Sequence, residues 1–176
     1  FEFQRPYGSY VMENVLFKVS YPAEFHSQTA VEASEKIHHI LKAQGKSAAD
    51  IKSITCRTHE ACIRIIDKQF KPMDNFADRD HCIQYMCATM LVFGRLEATD
   101  YTDGGEAATS PLVESLRQKI KCVEDPQYTK DYHNPKLRTI SNALTVELND
   151  GTVLDEVAVE APLGHRLRRE EAKPVI

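Results

Sequence analysis

Asn142-Ala-Leu-Thr-Val-Glu-Leu-Asn-Asp-Gly-Thr-Val-Leu-Asp-Glu-Val-Ala-Val159 is the stretch whose reading decides the fold. Apolar and polar residues alternate over Asn142 to Leu148 and again over Val153 to Val159, the period of a strand with one face buried. Between the two runs lies Asn149-Asp150-Gly151-Thr152, with the Asp-Gly pair that a tight hairpin turn prefers. The pattern predicts a β-hairpin at the heart of a sheet.

Working outward, residues 50–58 (Asp-Ile-Lys-Ser-Ile-Thr-Cys-Arg-Thr) also alternate, predicting a half-buried strand with Ile54 and Cys56 facing in. Residues 14–20 (Asn-Val-Leu-Phe-Lys-Val-Ser) have strand composition, and Pro22 ends the run. Ala30, Ala33, Ile37, Ile40 and Leu41 recur at the helical period, predicting a helix from Ser27 to Gln44 with a stop at Gly45. A second helix is predicted from Asp78 to Phe93, with Ile83, Met86, Cys87 and Met90 on one face. A third runs from Ser110, as cap, through Pro111 at its first position to Lys121. Glu60 to Asp67 is too short to assign, and Phe70 to Phe76 reads as a loop. Strands and helices interleave without a βαβ repeat or a Gly-rich phosphate loop. The expected class is α+β: a two-layer sandwich with a largely antiparallel sheet of about four strands and helices packed on one face.

A chain of 176 residues is about one domain. Its net charge of −4, with no dominant basic stripe, argues against a nucleic-acid footprint. No apolar run approaches the ~18 residues of a membrane span, and no signal-peptide pattern is present. The start at Phe1 reads as that of a fragment. Five cysteines, an odd number without Cys-x-x-Cys or Cys/His metal spacing, read as free thiols in a reducing compartment rather than as disulfides or metal ligands.

Chemistry-bearing residues concentrate in Asn14-Val-Leu-Phe-Lys-Val-Ser-Tyr-Pro-Ala-Glu-Phe-His-Ser-Gln-Thr-Ala-Val-Glu-Ala33, which sets Lys18, Glu24, His26 and Ser27 around a helix start. Cationic and donor groups at a helix N-terminus suit a polyanionic small molecule. Each has a plainer reading too: Lys18 as a solvent-facing strand lysine, His26 as a surface or capping histidine, Ser27 as a helix cap, Glu24 as an exposed turn carboxylate. A second group is Arg57, His59 and Arg64 around Glu60, equally readable as surface ion pairing. A third is Arg79, His81 and Tyr85, where Tyr85 also suits a core position.

The same stretch, with Phe3-Gln-Arg-Pro-Tyr-Gly-Ser-Tyr-Val-Met-Glu-Asn14 and Ala77-Asp-Arg-Asp-His-Cys-Ile-Gln-Tyr85, resembles the MmgE/PrpD family, which contains bacterial and fungal 2-methylcitrate dehydratases and cis-aconitate decarboxylases. The likeness continues through Arg57-Thr-His-Glu-Ala-Cys-Ile-Arg-Ile-Ile-Asp67, Leu91-Val-Phe-Gly-Arg-Leu96, Glu124-Asp-Pro126, Asp131-Tyr-His133 and the hairpin; Thr99 to Pro111 is its weakest part. It lies closer to the methylcitrate branch. The resemblance implies the family's smaller domain over residues 14–164, a linker at 1–13 from a helical domain that precedes it, and a charged arm at 165–176. It implies elimination of water from 2-methylcitrate to 2-methyl-cis-aconitate without an iron–sulfur cluster or other cofactor. A homodimer of the intact protein follows, in bacterial cytoplasm or the fungal mitochondrial matrix. It favours Lys18 and His26 as catalytic; the reading of the residues adds Ser27, Arg57, His59, Arg64, Arg79 and Tyr85 as candidates for substrate binding, with no metal. The isolated fragment is expected to be inactive. Two other readings stay open: a cis-aconitate decarboxylase, and a structural or oligomerisation domain whose chemistry lies elsewhere.

Overall fold

A computed structural model describes residues 18–174. In chain order, helix α1 is Gln28–Ala43, strand β1 Ile51–Thr58, α2 Glu60–Ile66, α3 Phe76–Asp80, α4 Ile83–Phe93, α5 Glu106–Thr109, α6 Pro111–Gln118, β2 Ile120–Glu124, α7 Pro126–His133, β3 Asn142–Leu148, β4 Val157–Val159 and α8 Arg169–Ala172. The sheet order is β2-β1-β3-β4, with β1 and β2 parallel and the other two pairings antiparallel. The expected α+β class with a largely antiparallel four-stranded sheet is what forms.

Register explains how one sheet face becomes core. Ile54 pairs with both Ile120 and Val146, and Cys56 with both Cys122 and Leu144. These rows face the helices, and Ile54, Cys56, Ile120, Leu144 and Val146 are buried. The intervening row carries Lys121, Thr55 and Thr145 outward. Above the inner face, α1 packs against α4, β3 and β4, and α4 packs in turn against α6. Flanked on both sides, α4 is buried along its whole length from Ile83 to Leu91, polar Gln84 and Thr89 included. A single apolar face, as the periodicity suggested, is therefore only part of its packing.

The hairpin differs from expectation in two ways. Its turn is as read: Leu148 N donates to Thr152 O at 2.8 Å, and Gly151 takes a φ of +85° that favours glycine. The second arm, however, pairs Val153 with Glu147 and then resumes at Val157 opposite Leu144, one residue more than on the first arm. This bulge at Asp155–Glu156 breaks the alternation, and Glu156 reaches across β3 to Arg57 on β1. Nor is the hairpin the centre of the sheet. β1 and β3 are the inner strands and β4 lies at an edge.

Other boundaries moved for tertiary reasons. The predicted 110–121 helix ends at Gln118, because Ile54 N donates to Lys119 O and draws the following residues into β2. The predicted 78–93 helix is two helices, since Cys82 is extended (φ −126°, ψ 106°) and restarts the chain as a cap. His81 and Tyr85 thus do not share a helix, and His81 faces Asp80 at the surface. Residues 60–66 form a helix capped by His59. Of the predicted strand 14–20, residues 14–17 lie outside the described region and 18–20 are irregular. The linker expected at 1–13 lies outside it too. The charged segment expected as an arm is docked: Arg168 donates to Glu32 and to Ala161 O, and Ala172 is fully buried. All five cysteines are free thiols, four buried and Cys122 partly so.

Candidate functional site

The site begins at the turn into α1. Glu24 precedes a 3-10 turn, Phe25–Ser27, and its carboxylate accepts from His26 N at 2.7 Å. That bond curls the side chain back, so that His26 Nδ1 faces the two carboxylate oxygens at 2.9 and 3.2 Å. Asn142 at the start of β3 donates to His26 O at 2.9 Å and to Thr29 Oγ1 at 2.7 Å, tying the turn to the sheet. Burial by itself would raise the Glu24 carboxyl. Hydrogen bonds and charge from His26, together with the positive charge of Lys18, hold it below the usual carboxylate value. Lys18 itself is exposed.

Two further rings close on His26. His59, at the junction of β1 and α2, lies with its ring centroid 5.3 Å from that of His26. Tyr132, from α7, stacks on His59 at 4.6 Å and 16° and places its hydroxyl 3.2 Å from His26 Nε2. His59 is fully buried, and its Nε2 has no hydrogen-bond partner among the described residues. Burial, with His26 nearby, lowers the His59 pKa to about 4, so the ring is neutral at pH 7. A carboxylate-bound imidazole, a phenol and a neutral imidazole with an idle nitrogen thus converge from three elements. Such a group can move a proton and hydrogen-bond a polar ligand.

The remaining sequence candidates have other partners. Ser27 Oγ donates to Glu24 O and to Met86 Sδ, so it holds the turn rather than facing outward. Arg57 forks onto Glu156, pairs with Asp125, and lies over the Tyr128 ring. Its hydrogen bonds to Glu156 raise its already high pKa. Arg64 is an exposed i,i+4 partner of Glu60. Arg79 is buried and donates to Tyr101 O and Asp103. The Tyr85 hydroxyl donates to Asp100 O at 2.6 Å, and burial pushes its pKa up to about 12. Ser27, Arg57, Arg64, Arg79 and Tyr85 make these contacts within the domain; Glu24, His26 and His59 share one neighbourhood, and the Lys18 charge acts on Glu24. The residue that the sequence reading missed is Tyr132. It lies in Asp131-Tyr-His133, a stretch noted for its family likeness, but nothing local connects it to His26, 106 positions earlier. Among the described residues no cluster of three or more His, Cys, Asp or Glu has the arrangement of a metal site. No helix among them is long and apolar enough to cross a membrane.

The MmgE/PrpD C-terminal domain model matches residues 21–176, and the chain belongs to that family. Among curated relatives it is 63% identical over 176 residues to the 2-methylcitrate dehydratase of Cupriavidus necator, covering all of this chain and 36% of that protein. It is 60% identical over 174 residues to the 2-methylcitrate dehydratase of Escherichia coli K12, covering 99% of this chain and 35% of the relative. The mitochondrial 2-methylcitrate dehydratase of Yarrowia lipolytica is 58% identical over 176 residues, with all of this chain and 33% of the relative covered. The chain thus spans about a third of the length of these relatives.

Proposed function

We propose that this chain is the C-terminal part of a 2-methylcitrate dehydratase, a hydro-lyase that removes water from 2-methylcitrate to give 2-methyl-cis-aconitate. The observation that carries the reading is identity of 58–63% over the whole chain with relatives of that name in bacteria and a fungus. The smaller domain extends past residue 164 into the docked segment, and residues 1–13 are the connection to a preceding helical domain, which supplies the rest of the site. The intact protein works as a homodimer, in bacterial cytoplasm or in a mitochondrial matrix.

The chemistry available here fits an elimination. A base must take a proton from carbon beside a carboxylate, an acid must protonate the departing hydroxyl, and cations must hold the carboxylates. His26, oriented by Glu24, is the proton-transfer group. The Lys18 ammonium is the cation and acid. His59, neutral and buried, offers a hydrogen bond to the substrate. The test is the intact polypeptide given 2-methylcitrate, with the new conjugated double bond followed by ultraviolet absorbance, and given cis-aconitate, with carbon dioxide release measured. Dehydration without decarboxylation is expected. Decarboxylation as the main activity would make it a cis-aconitate decarboxylase. Turnover unaffected by changing Lys18 and His26 would leave this domain as scaffold.

A further inference from the structure

His26 can offer only one nitrogen to a reaction. Its Nδ1 faces both Glu24 oxygens, and a carboxylate accepts only, so Nδ1 carries the hydrogen of the neutral ring. The lone pair is then on Nε2, and the group facing it is the Tyr132 hydroxyl at 3.2 Å, which donates to it. His26 is 6% exposed, whereas Tyr132 is only partly buried. Of the two, Tyr132 is the more exposed to solvent. Its ring is held by the stack on His59, and its helix is fixed by the Asp125 cap on Gln127 N and Tyr128 N. Carboxylate, imidazole and hydroxyl in this sequence are the arrangement by which a weakly acidic hydroxyl exchanges protons through a histidine.

We infer that Tyr132 is a catalytic residue of the proposed dehydration, the group that meets the substrate proton, with His26 and Glu24 as the relay behind it. The inference rests on the reading of this chain as part of a dehydratase. In the forward step the substrate C–H bond breaks and its proton goes to Tyr132 Oη, while the phenol's own proton passes to His26 Nε2. The C–H electron pair becomes the new C=C bond. The C–O bond breaks, and the hydroxyl leaves as water with a proton from the Lys18 ammonium. Glu24 stays ionised and stabilises the imidazolium. The proton on His26 then returns through Tyr132 to solvent, from which Lys18 is recharged, so the net loss is one water.

The test uses the intact polypeptide with 2-methylcitrate, comparing wild type, Tyr132→Phe, His26→Gln and the double variant. Tyr132→Phe keeps the ring and its stack on His59, so folding is preserved. Each single change is expected to lower kcat by the same factor, on the order of 10²–10⁴, with KM little changed, and the double variant to be no worse than either, because the residues act as one unit. Tyr132→Phe within about threefold of wild type, beside a crippled His26→Gln, would mean that His26 meets the substrate directly and would overturn the inference. Losses that multiply in the double variant would overturn it too. An inactive wild type is a different failure: it removes the dehydratase reading itself, and the inference with it.

Discussion

Acidification should destabilise this fold through His59 in a way that can be calculated. The residue is fully buried between His26 and Tyr132. Burial first, and the nearby His26 second, lower its pKa from 6.5 to about 4 in the folded chain. Above pH 6.5 the ring is neutral in both states and costs nothing. As pH falls from 6.5 toward 4, the unfolded chain binds a proton that the folded chain refuses, so stability drops with pH. At about 1.4 kcal/mol per pKa unit, the full loss below pH 4 is about 3 kcal/mol, of which about 2 kcal/mol has appeared by pH 5. Other groups titrate over the same range, so the measurement is a difference. Urea unfolding followed by circular dichroism would compare wild type with His59→Phe, which keeps a ring against Tyr132 but cannot be protonated. Between pH 7.5 and pH 5 the stability of wild type should fall relative to the variant by about 2 kcal/mol. Curves that stay parallel within ~0.5 kcal/mol would show that His59 is protonated as readily in the fold as in water, and the burial argument would fail.

Lys18→Ala in the intact polypeptide should lower kcat/KM at least ~10-fold, the loss of a charge-assisted contact, while leaving the urea midpoint unchanged because Lys18 is exposed. Arg79→Ala should cost about 2–3 kcal/mol of stability, since the Tyr101 carbonyl loses its buried charged donor; thermal melting beside exposed Arg64→Ala, expected within ±0.5 kcal/mol, checks this. Gly94→Ala should destabilise by about 1–3 kcal/mol, because φ is +66° and the new Cβ would sit 2.6 Å from His38 Nε2. Adding His38→Ala should recover the steric part and leave the backbone part, as chemical denaturation of the double variant would show.

The elements legible in the sequence are those whose signal is local. Helix α1 was readable from Ala30, Ala33, Ile37, Ile40 and Leu41; the structure buries four of these and leaves Ile40 exposed. The turn at Asp150-Gly151 was readable because its backbone demands are met within four residues. β2 was not, since Ile120–Glu124 is five residues long and becomes a strand by pairing with β1. The break at Cys82 and the bulge at Asp155–Glu156 were hidden for the same reason: each relieves or exploits a contact with a distant segment. In the site, Glu24 and His26 are neighbours in sequence and were visible together. Their meeting with Tyr132 is not encoded by any spacing.

By itself, then, the sequence determined the α+β class, the period of helix α1, the Ser110 cap of α6, the hairpin turn, and the family to which the chain belongs. All of these depend on short-range backbone preference or on residue identity. Tertiary structure alone decided which strands are inner, where the second hairpin arm bulges, which arginines pair at the surface or inside, and that Tyr132 closes on His26. Those outcomes depend on which buried surfaces and donors find partners across the sheet. Sheet register and side-chain hydrogen bonding are settled by segments dozens of residues apart, and no local window of sequence contains both partners.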